Sequence, residues 1–150
     1  AEMNAKEFFS QSIPLNKRIN SKLDHLLALR DLVSKATATI SDMPSRENRD
    51  VHQLEDVICR IVDLERDVNA DIDRLLDLKK EYMSIISEIE KPLFQLVLEQ
   101  RYLCCHPWSR ISTELDYEPR SLYRLHSEAL KAADVLMQKR ICGFTPIVTK

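Results

Sequence analysis

Residues 98–130 read LEQRYLCCHPWSRISTELDYEPRSLYRLHSEAL, and the spacing of apolar side chains in this stretch decides the fold of the C-terminal part of the chain. Apolar side chains recur here at intervals of three or four residues, which is the spacing of amphipathic helices. The three runs are Leu98, Tyr102 and Leu103, then Trp108, Ile111 and Leu115, then Leu122, Leu125, Ala129 and Ala133. This pattern predicts three helices that close around one small core.

The link between the second and third predicted helices is a short turn. Asp116, Tyr117 and Glu118 separate the two apolar runs, and Pro119 follows them. Proline has a fixed φ and no backbone N–H, so it suits the first turn of a helix. We therefore expect the third helix to begin near Pro119 and the last two helices to form a helix-turn-helix.

The outward face of the third helix is basic. If Leu122, Leu125 and Ala129 point inward, the polar residues between them point outward. Residues 119–140 contain five Lys or Arg against two Asp or Glu, whereas the whole chain has a formal net charge of −2. Attraction to a polyanion must therefore come from this local patch and not from the total charge.

A basic outward face at this position is typical of DNA-binding proteins. The recognition helix of a helix-turn-helix enters the major groove, where arginine contacts guanine through two hydrogen bonds. The predicted DNA-binding residues are Arg120, Ser121 and Arg124 at bases, Tyr123, Lys131 and Arg110 at phosphates, and Ser127 on the same face. Solvated arginines on an ordinary three-helix bundle are the alternative that the pattern leaves open.

The same stretch resembles region four of bacterial sigma factors. That region runs roughly L-R-Y-L, W-x-x-I-A, L-G-Y-S and V-Y-R-L, where this chain has QRYL at 100–103, WSRIS at 108–112, LDYE at 115–118 and LYRL at 122–125. The whole chain is similar to a family of short (pro)phage proteins of Firmicutes, the phage sigma-like transcriptional regulators, through MNAKEFFSQ at 3–11, NRDVHQLEDVI at 48–58 and NADIDRLLDLKKE at 69–81. The resemblance implies a natural start at Met3 and a transcriptional regulator that binds double-stranded promoter DNA.

Two residues of the turn depart from the sigma pattern. Asp116 stands where the pattern has glycine, and Glu118 stands where it has a serine cap. Glutamate accepts a backbone N–H less well than serine does, and its charge repels phosphate. One alternative is therefore a protein-interaction module that binds RNA polymerase or another phage protein without DNA contact. A third is a DNA-packaging recognition subunit, which also couples a helix-turn-helix to oligomerising helices.

Two long helices are predicted ahead of the helix-turn-helix. From Val51 to Ile89 the apolar residues follow a heptad spacing broken only at Asp71, and neither Pro nor Gly interrupts it, which predicts one continuous helix. Residues 15–40 follow the same spacing, with Lys22 as the misfit, and 41–50 have the composition of a turn. The expected all-α fold is a long antiparallel coiled-coil helical hairpin at 3–91, a sigma-region-four-like helix-turn-helix at 92–140 and a flexible tail at 141–150.

The second long helix is predicted to be longer than the first. Its part from Leu75 to Ile89 then keeps an apolar seam that needs either the C-terminal bundle or a second subunit. We expect a homo-oligomer through the coiled coil.

Two aromatic residues of the predicted helix-turn-helix are expected to pack within it. Trp108 should lie in the core because it shares a helix face with Ile111 and Leu115. His126 should be a half-buried packing residue, with a phosphate contact as the alternative.

Composition argues against catalysis and cofactors. The single glycine, Gly143, excludes a Gly-rich phosphate loop and a Rossmann fingerprint. Four cysteines and four histidines lack the spacing of a zinc finger, a disulfide framework or a nucleophile motif. The chain contains neither a long apolar run nor a signal-peptide core. We expect a cytoplasmic protein that is not an enzyme, with no cofactor, no metal and no membrane partner.

Overall fold

The structure, a computed structural model, describes residues 3–40 and 47–143. Regular structure in these ranges is entirely helical, so the chain is all-α. The elements are α1 (Ala5–Ser10), α2 (Ser12–Ile40), α3 (Glu47–Ile86), α4 (Pro92–Leu98), a π-helical turn (Glu99–Leu103), α5 (Trp108–Leu115) and α6 (Pro119–Gly143). Residues 41–46 of the predicted connection and residues 144–150 of the predicted tail lie outside the described residues. None of the helices in these two ranges has both the length and the apolar character needed to cross a membrane.

The chain divides into two compact units. One unit runs from Leu15 to Leu75, and the other joins the N-terminal segment up to Pro14 to the chain from Leu76 onward. The last turns of α3 therefore fold with α4, α5 and α6, although the sequence pattern groups them with the hairpin.

The Leu15–Leu75 unit is an antiparallel pair formed by α2 and α3. Lys22 lies beside Asp71, with Nζ 2.6 Å from Oδ2, and Arg30 pairs with Glu65 further along. Lys22 and Asp71 are the two misfits of the heptad pattern, and they occupy the seam opposite each other. The hydrogen bond from Lys22 lowers the pKa of Asp71. A polar pair in an apolar seam fixes the register of two helices, because any slip leaves both charges unpaired.

The second unit buries the end of the α3 seam within the same chain. Tyr82, Ile85 and Ile86 form one core cluster with Phe9 of α1, with Leu98 and Tyr102, and with Ala129, Leu130 and Ala133 of α6. The hydroxyl of Tyr82 donates a hydrogen bond to the carbonyl of Phe8, at 2.7 Å. Of the two predicted partners for this seam, the C-terminal bundle is the one that the structure provides.

Helix α3 ends at Ile86, so the prediction of a continuous helix to Ile89 is wrong by three residues. The side-chain amide of Gln95 in α4 donates to the carbonyl oxygens of Ile86, at 3.2 Å, and Ile89, at 2.7 Å. Carbonyls at a helix end lack partners within the helix. The Gln95 amide supplies a hydrogen-bond donor for the two carbonyls. The turn that follows Ile86 brings Ile89 into the core.

Helix α1 is an element that the sequence pattern did not indicate. Asn4 caps it, because its side chain accepts from the N–H of Glu7 and the Glu7 carboxylate accepts from the N–H of Asn4. The N–H of Ala5 also donates to Asp134 of α6, at 2.6 Å. The N-terminal segment is therefore held directly against the longest helix of the predicted helix-turn-helix.

Candidate nucleic-acid interface

Three helices close around a core of their own in the C-terminal region, as predicted. Val97 of α4, Ile111 of α5 and Leu122 and Leu125 of α6 form a buried cluster. The first helix contributes differently from the prediction, because Leu98 and Tyr102 point into the other core with Phe9. Helix α6 bridges the two cores, with Leu122 and Leu125 in one and Ala129, Leu130 and Ala133 in the other.

The turn between α5 and α6 is built on a left-handed residue. Asp116 caps the C-terminus of α5 with φ 56° and ψ 45°, the conformation that favours glycine and that aspartate tolerates better than most residues. The N–H of Tyr117 donates to the carbonyl of Ser112, at 3.1 Å, and the N–H of Leu122 donates to the carbonyl of Glu118, at 2.9 Å. The first departure from the sigma pattern thus keeps the geometry that glycine would give.

A row of polar side chains lies along α6 on the side opposite its buried residues. Its members are spaced by four, three and four residues, so they share one narrow stripe of the helix surface. They are Arg120, Arg124, Ser127 and Lys131, and all four are exposed. Within residues 3–40 and 47–143, no side chain forms a hydrogen bond or an ion pair with Arg120, Arg124 or Lys131. We call these four residues the α6 row.

Three predicted site residues, Ser121, Tyr123 and Arg110, are not part of the α6 row. Ser121 and Tyr123 are exposed on its two flanks, and the ring of Tyr123 lies 5.7 Å from the ring of Trp108. Arg110 lies on α5, where its Nε donates to the carboxylate of Glu114, at 2.9 Å. This hydrogen bond lowers the pKa of Glu114. Arg110 therefore has a partner already, whereas no described side chain pairs with the cations of the α6 row.

An aromatic cluster supports the start of α5 and was only partly predicted. His126 packs edge-on against Trp108, with ring centroids 4.5 Å apart, and its Nε2 lies 2.7 Å from the hydroxyl of Tyr102. The guanidinium of Arg101 lies 4.7 Å from the centre of the Trp108 ring and donates to the carbonyl of His106, at 3.0 Å. Trp108 is partly buried against the core that contains Ile111 and Leu122. The cluster fixes Trp108 from three sides.

His126 is a neutral packing residue in this cluster. Burial first, and then the positive charges of Arg101 and Lys6, lower its pKa from 6.5 to about 4. A neutral imidazole inside the cluster is poorly suited to bind phosphate, so the packing alternative fits His126 and the phosphate alternative does not. Its contacts with Tyr102 and Trp108 join helices that are distant in sequence, so the helical spacing alone did not indicate them.

No cluster of His, Cys, Asp or Glu side chains in residues 3–40 and 47–143 is placed to hold a metal ion. Comparison of the chain with protein-family models, curated proteins and solved structures found no match.

Proposed function

We propose that this chain is a phage-type transcriptional regulator that reads double-stranded promoter DNA with α6. The observation that carries the proposal is the α6 row, in which Arg120, Arg124 and Lys131 are exposed and have no partner among the described side chains. A cation that is already solvated and unpaired gives up no intramolecular ion pair when it binds phosphate or a base edge. The resemblance to region four of sigma factors points to the same function.

In this proposal, different residues of the site have different tasks. Arg120, Ser121 and Arg124 lie in the first two turns of α6, the part of a recognition helix that reaches base edges in the major groove. Each arginine has the geometry for a bidentate contact with guanine. Tyr123 lies to one side of these residues, and Lys131 lies further along the helix. In these positions we infer contacts to the phosphate backbone, which fix orientation but carry no sequence information.

Arg110 has a conditional role in this proposal. Its ion pair with Glu114 must loosen or be shared before Arg110 binds phosphate, because a guanidinium that faces a carboxylate is partly neutralised. We infer that Arg110 contributes to phosphate binding only at the expense of this pair.

The protein acts in the cytoplasm without catalysis and without a cofactor.

Selection from a pool of random duplexes tests the proposal. The full chain is incubated with the pool, and the bound duplexes are recovered and sequenced over several rounds. We expect one short motif to be enriched by the wild type and to be lost with the Arg120→Ala, Arg124→Ala double variant. Retention of duplexes without any enriched motif would contradict sequence reading.

A second candidate function is protein binding by the same region. Two exposed carboxylates, Glu114 and Glu118, lie on either side of the turn between α5 and α6, and their charge opposes close approach to DNA phosphates. Under this alternative the partner is RNA polymerase or another phage protein. Tight binding of purified bacterial RNA polymerase by a chain that retains no duplex would favour it.

A further inference from the structure

Helix α1 lies alongside the part of α6 that carries the end of the α6 row. The backbone N–H of Ala5 donates to the carboxylate of Asp134, at 2.6 Å, and Asp134 follows Lys131 of the row by three residues. Phe9, near the other end of α1, is buried in one core with Ala129 of α6. Helix α1 therefore packs beside the stretch of α6 from Ala129 to Asp134, and its exposed side chains adjoin the surface of α6.

One face of α1 lies against the pair formed by Tyr102 and His126, in which the Tyr102 hydroxyl is 2.7 Å from Nε2 of His126. Burial raises the pKa of Tyr102, and an interaction with the side chain of Ser10 offsets part of this rise. Burial also lowers the pKa of His126, and the positive charges of Arg101 and then Lys6 lower it further. Lys6 and Ser10 are four residues apart on α1 and share a face of the helix, so Lys6 lies beside the same pair.

Two cations, Lys6 and Arg101, therefore lie close to one neutral imidazole. Lys6 is exposed, and among the described residues none forms a hydrogen bond or an ion pair with its ammonium group. The guanidinium of Arg101 donates to the carbonyl of His106 and lies over the ring of Trp108, and neither contact neutralises its charge. Positive charges held near each other without a carboxylate partner create a local positive potential that attracts an anion.

Two carboxylates near α1 have hydrogen-bond donors of their own. Glu7 accepts from the backbone N–H of Asn4, and Asp134 accepts from the backbone N–H of Ala5. In the part of the chain that the structure describes, neither carboxylate forms an ion pair with either of the two cations. Both cations therefore keep their charge for a ligand.

A series of aromatic contacts connects the two cations with a flank of the α6 row. His126 packs against Trp108, with ring centroids 4.5 Å apart, and the ring of Trp108 lies 5.7 Å from the ring of Tyr123, which is exposed beside the row. A helix in the major groove has a phosphate backbone on each side of it. When α6 occupies the groove, the flank with Tyr123 faces one of these backbones, and the two cations lie on that flank.

We propose that Lys6 and Arg101 bind a phosphate group of the DNA backbone beside Tyr123. The ligand class is a phosphodiester, and the ammonium and guanidinium groups donate charge-assisted hydrogen bonds to its oxygens. The assignment rests on the proposed function of α6, and through Lys6 it adds a contact from the N-terminal helix, outside the predicted helix-turn-helix. Because phosphate carries no base identity, this contact adds affinity without adding sequence preference.

Lys6→Ala tests the proposal, because Lys6 is exposed and its truncation leaves the core intact. In anisotropy titrations of the full chain, this variant should bind the selected duplex and a scrambled duplex several-fold more weakly than the wild type, by the same factor on both. The steepness of log affinity against log salt concentration should decrease by about one. Lys6→Arg should retain binding. Lys17→Ala is the matched control, since it removes an exposed lysine from α2, and it should bind like the wild type.

Acetylation of the wild-type chain with and without duplex adds a readout that needs no variant. Bound duplex should protect Lys6 from acetylation and should leave Lys17 reactive. A wild type that binds no duplex at low salt would contradict the proposed function, and the phosphate site with it. If the wild type binds, equal binding by Lys6→Ala or an unprotected Lys6 would overturn the phosphate site alone. A loss confined to the selected duplex would also overturn it, because that result assigns Lys6 to a base.

Discussion

Arg120 and Arg124 lie one helical turn apart on α6, and Lys131 lies two further turns along the same face. Under the proposed function, this order separates residues that specify a sequence from residues that add general affinity, since base contacts carry preference and phosphate contacts do not. The two kinds of residue should therefore respond differently to truncation.

Arg120→Ala should reduce the preference for the selected motif over a scrambled duplex by about 1–3 kcal/mol, the usual worth of one bidentate base contact. Lys131→Ala should weaken binding to both duplexes alike. Fluorescence-anisotropy titrations of each variant on the two duplexes measure these preferences. An equal loss on both duplexes for Arg120→Ala would show that Arg120 contacts phosphate and not a base.

Glu114 restrains Arg110, so removal of its charge should strengthen DNA binding. Glu114→Gln should raise the affinity for duplex several-fold, because Arg110 then has no carboxylate partner to give up when it binds phosphate. The gain should be much smaller when Arg110→Ala is also present. A gain of the same size in both backgrounds would mean that Glu114 only repels phosphate by its own charge.

His126 should make the stability of the fold depend on pH. Its pKa falls from 6.5 to about 4 on folding, so the unfolded chain binds more protons between these values, and the free energy of unfolding decreases as the pH falls through that window. Above pH 6.5 both states are neutral at this residue and the contribution is constant. Urea denaturation at about pH 7 and about pH 5 should show a smaller loss for His126→Gln than for the wild type.

The control for this pH dependence is His25→Gln, because His25 is exposed on α2. This variant should lose as much stability as the wild type over the same interval. An unchanged loss in His126→Gln would contradict this assignment. The carboxylates of Asp71 and Glu114 do not cause the loss in this interval. The pKa values of both are lowered, so their contributions disappear at still lower pH.

Some features of single residues could be predicted from the sequence, and others could not. The α6 row was predictable because helical periodicity and charge are both local properties. The left-handed conformation of Asp116 and the pairing of Lys22 with Asp71 were not predicted. Each depends on the neighbouring helix, and Lys22 and Asp71 appear in the sequence only as two separate misfits.

At the scale of elements, long helices were more predictable than short ones. The heptad pattern indicated α2 and α3 over many turns, whereas α1 has only six residues and offers too few positions for a period. The carbonyl oxygens at the early end of α3 accept hydrogen bonds from Gln95, which comes from the following helix. The π-helical turn at Glu99–Leu103 inserts an extra residue into a helical run, and the apolar pattern did not indicate it.

Helix α1 should contribute strongly to the stability of the C-terminal unit. Phe9 is fully buried between Tyr82 and Tyr102, so Phe9→Ala should lower the free energy of unfolding by about 3–5 kcal/mol. Urea denaturation followed by circular dichroism measures this loss. Met3→Ala is the control, since Met3 is exposed, and it should change stability by less than about 0.5 kcal/mol. A similar small effect for Phe9→Ala would contradict the role of α1 in the core.

At the scale of the whole molecule, the fold class follows from composition and periodicity, but the compact units do not. One glycine and long heptad patterns with a single misfit each leave little besides helices. The contact between Ala5 and Asp134, by contrast, spans 129 positions of sequence, and no local pattern encodes it. The chain as a whole is slightly acidic, so attraction to DNA depends on the placement of charge and should weaken steeply with salt.

The most direct test of DNA reading by α6 is a salt-dependent anisotropy titration of the full chain on the selected duplex. The wild type is compared with the Arg120→Ala, Arg124→Ala double variant and with Arg60→Ala, Arg66→Ala, which removes two exposed arginines of α3. Wild type and the α3 variant should bind alike, whereas the α6 variant should lose both its affinity and part of its salt dependence. Equal binding by all three proteins, or no binding at low salt, would contradict the account.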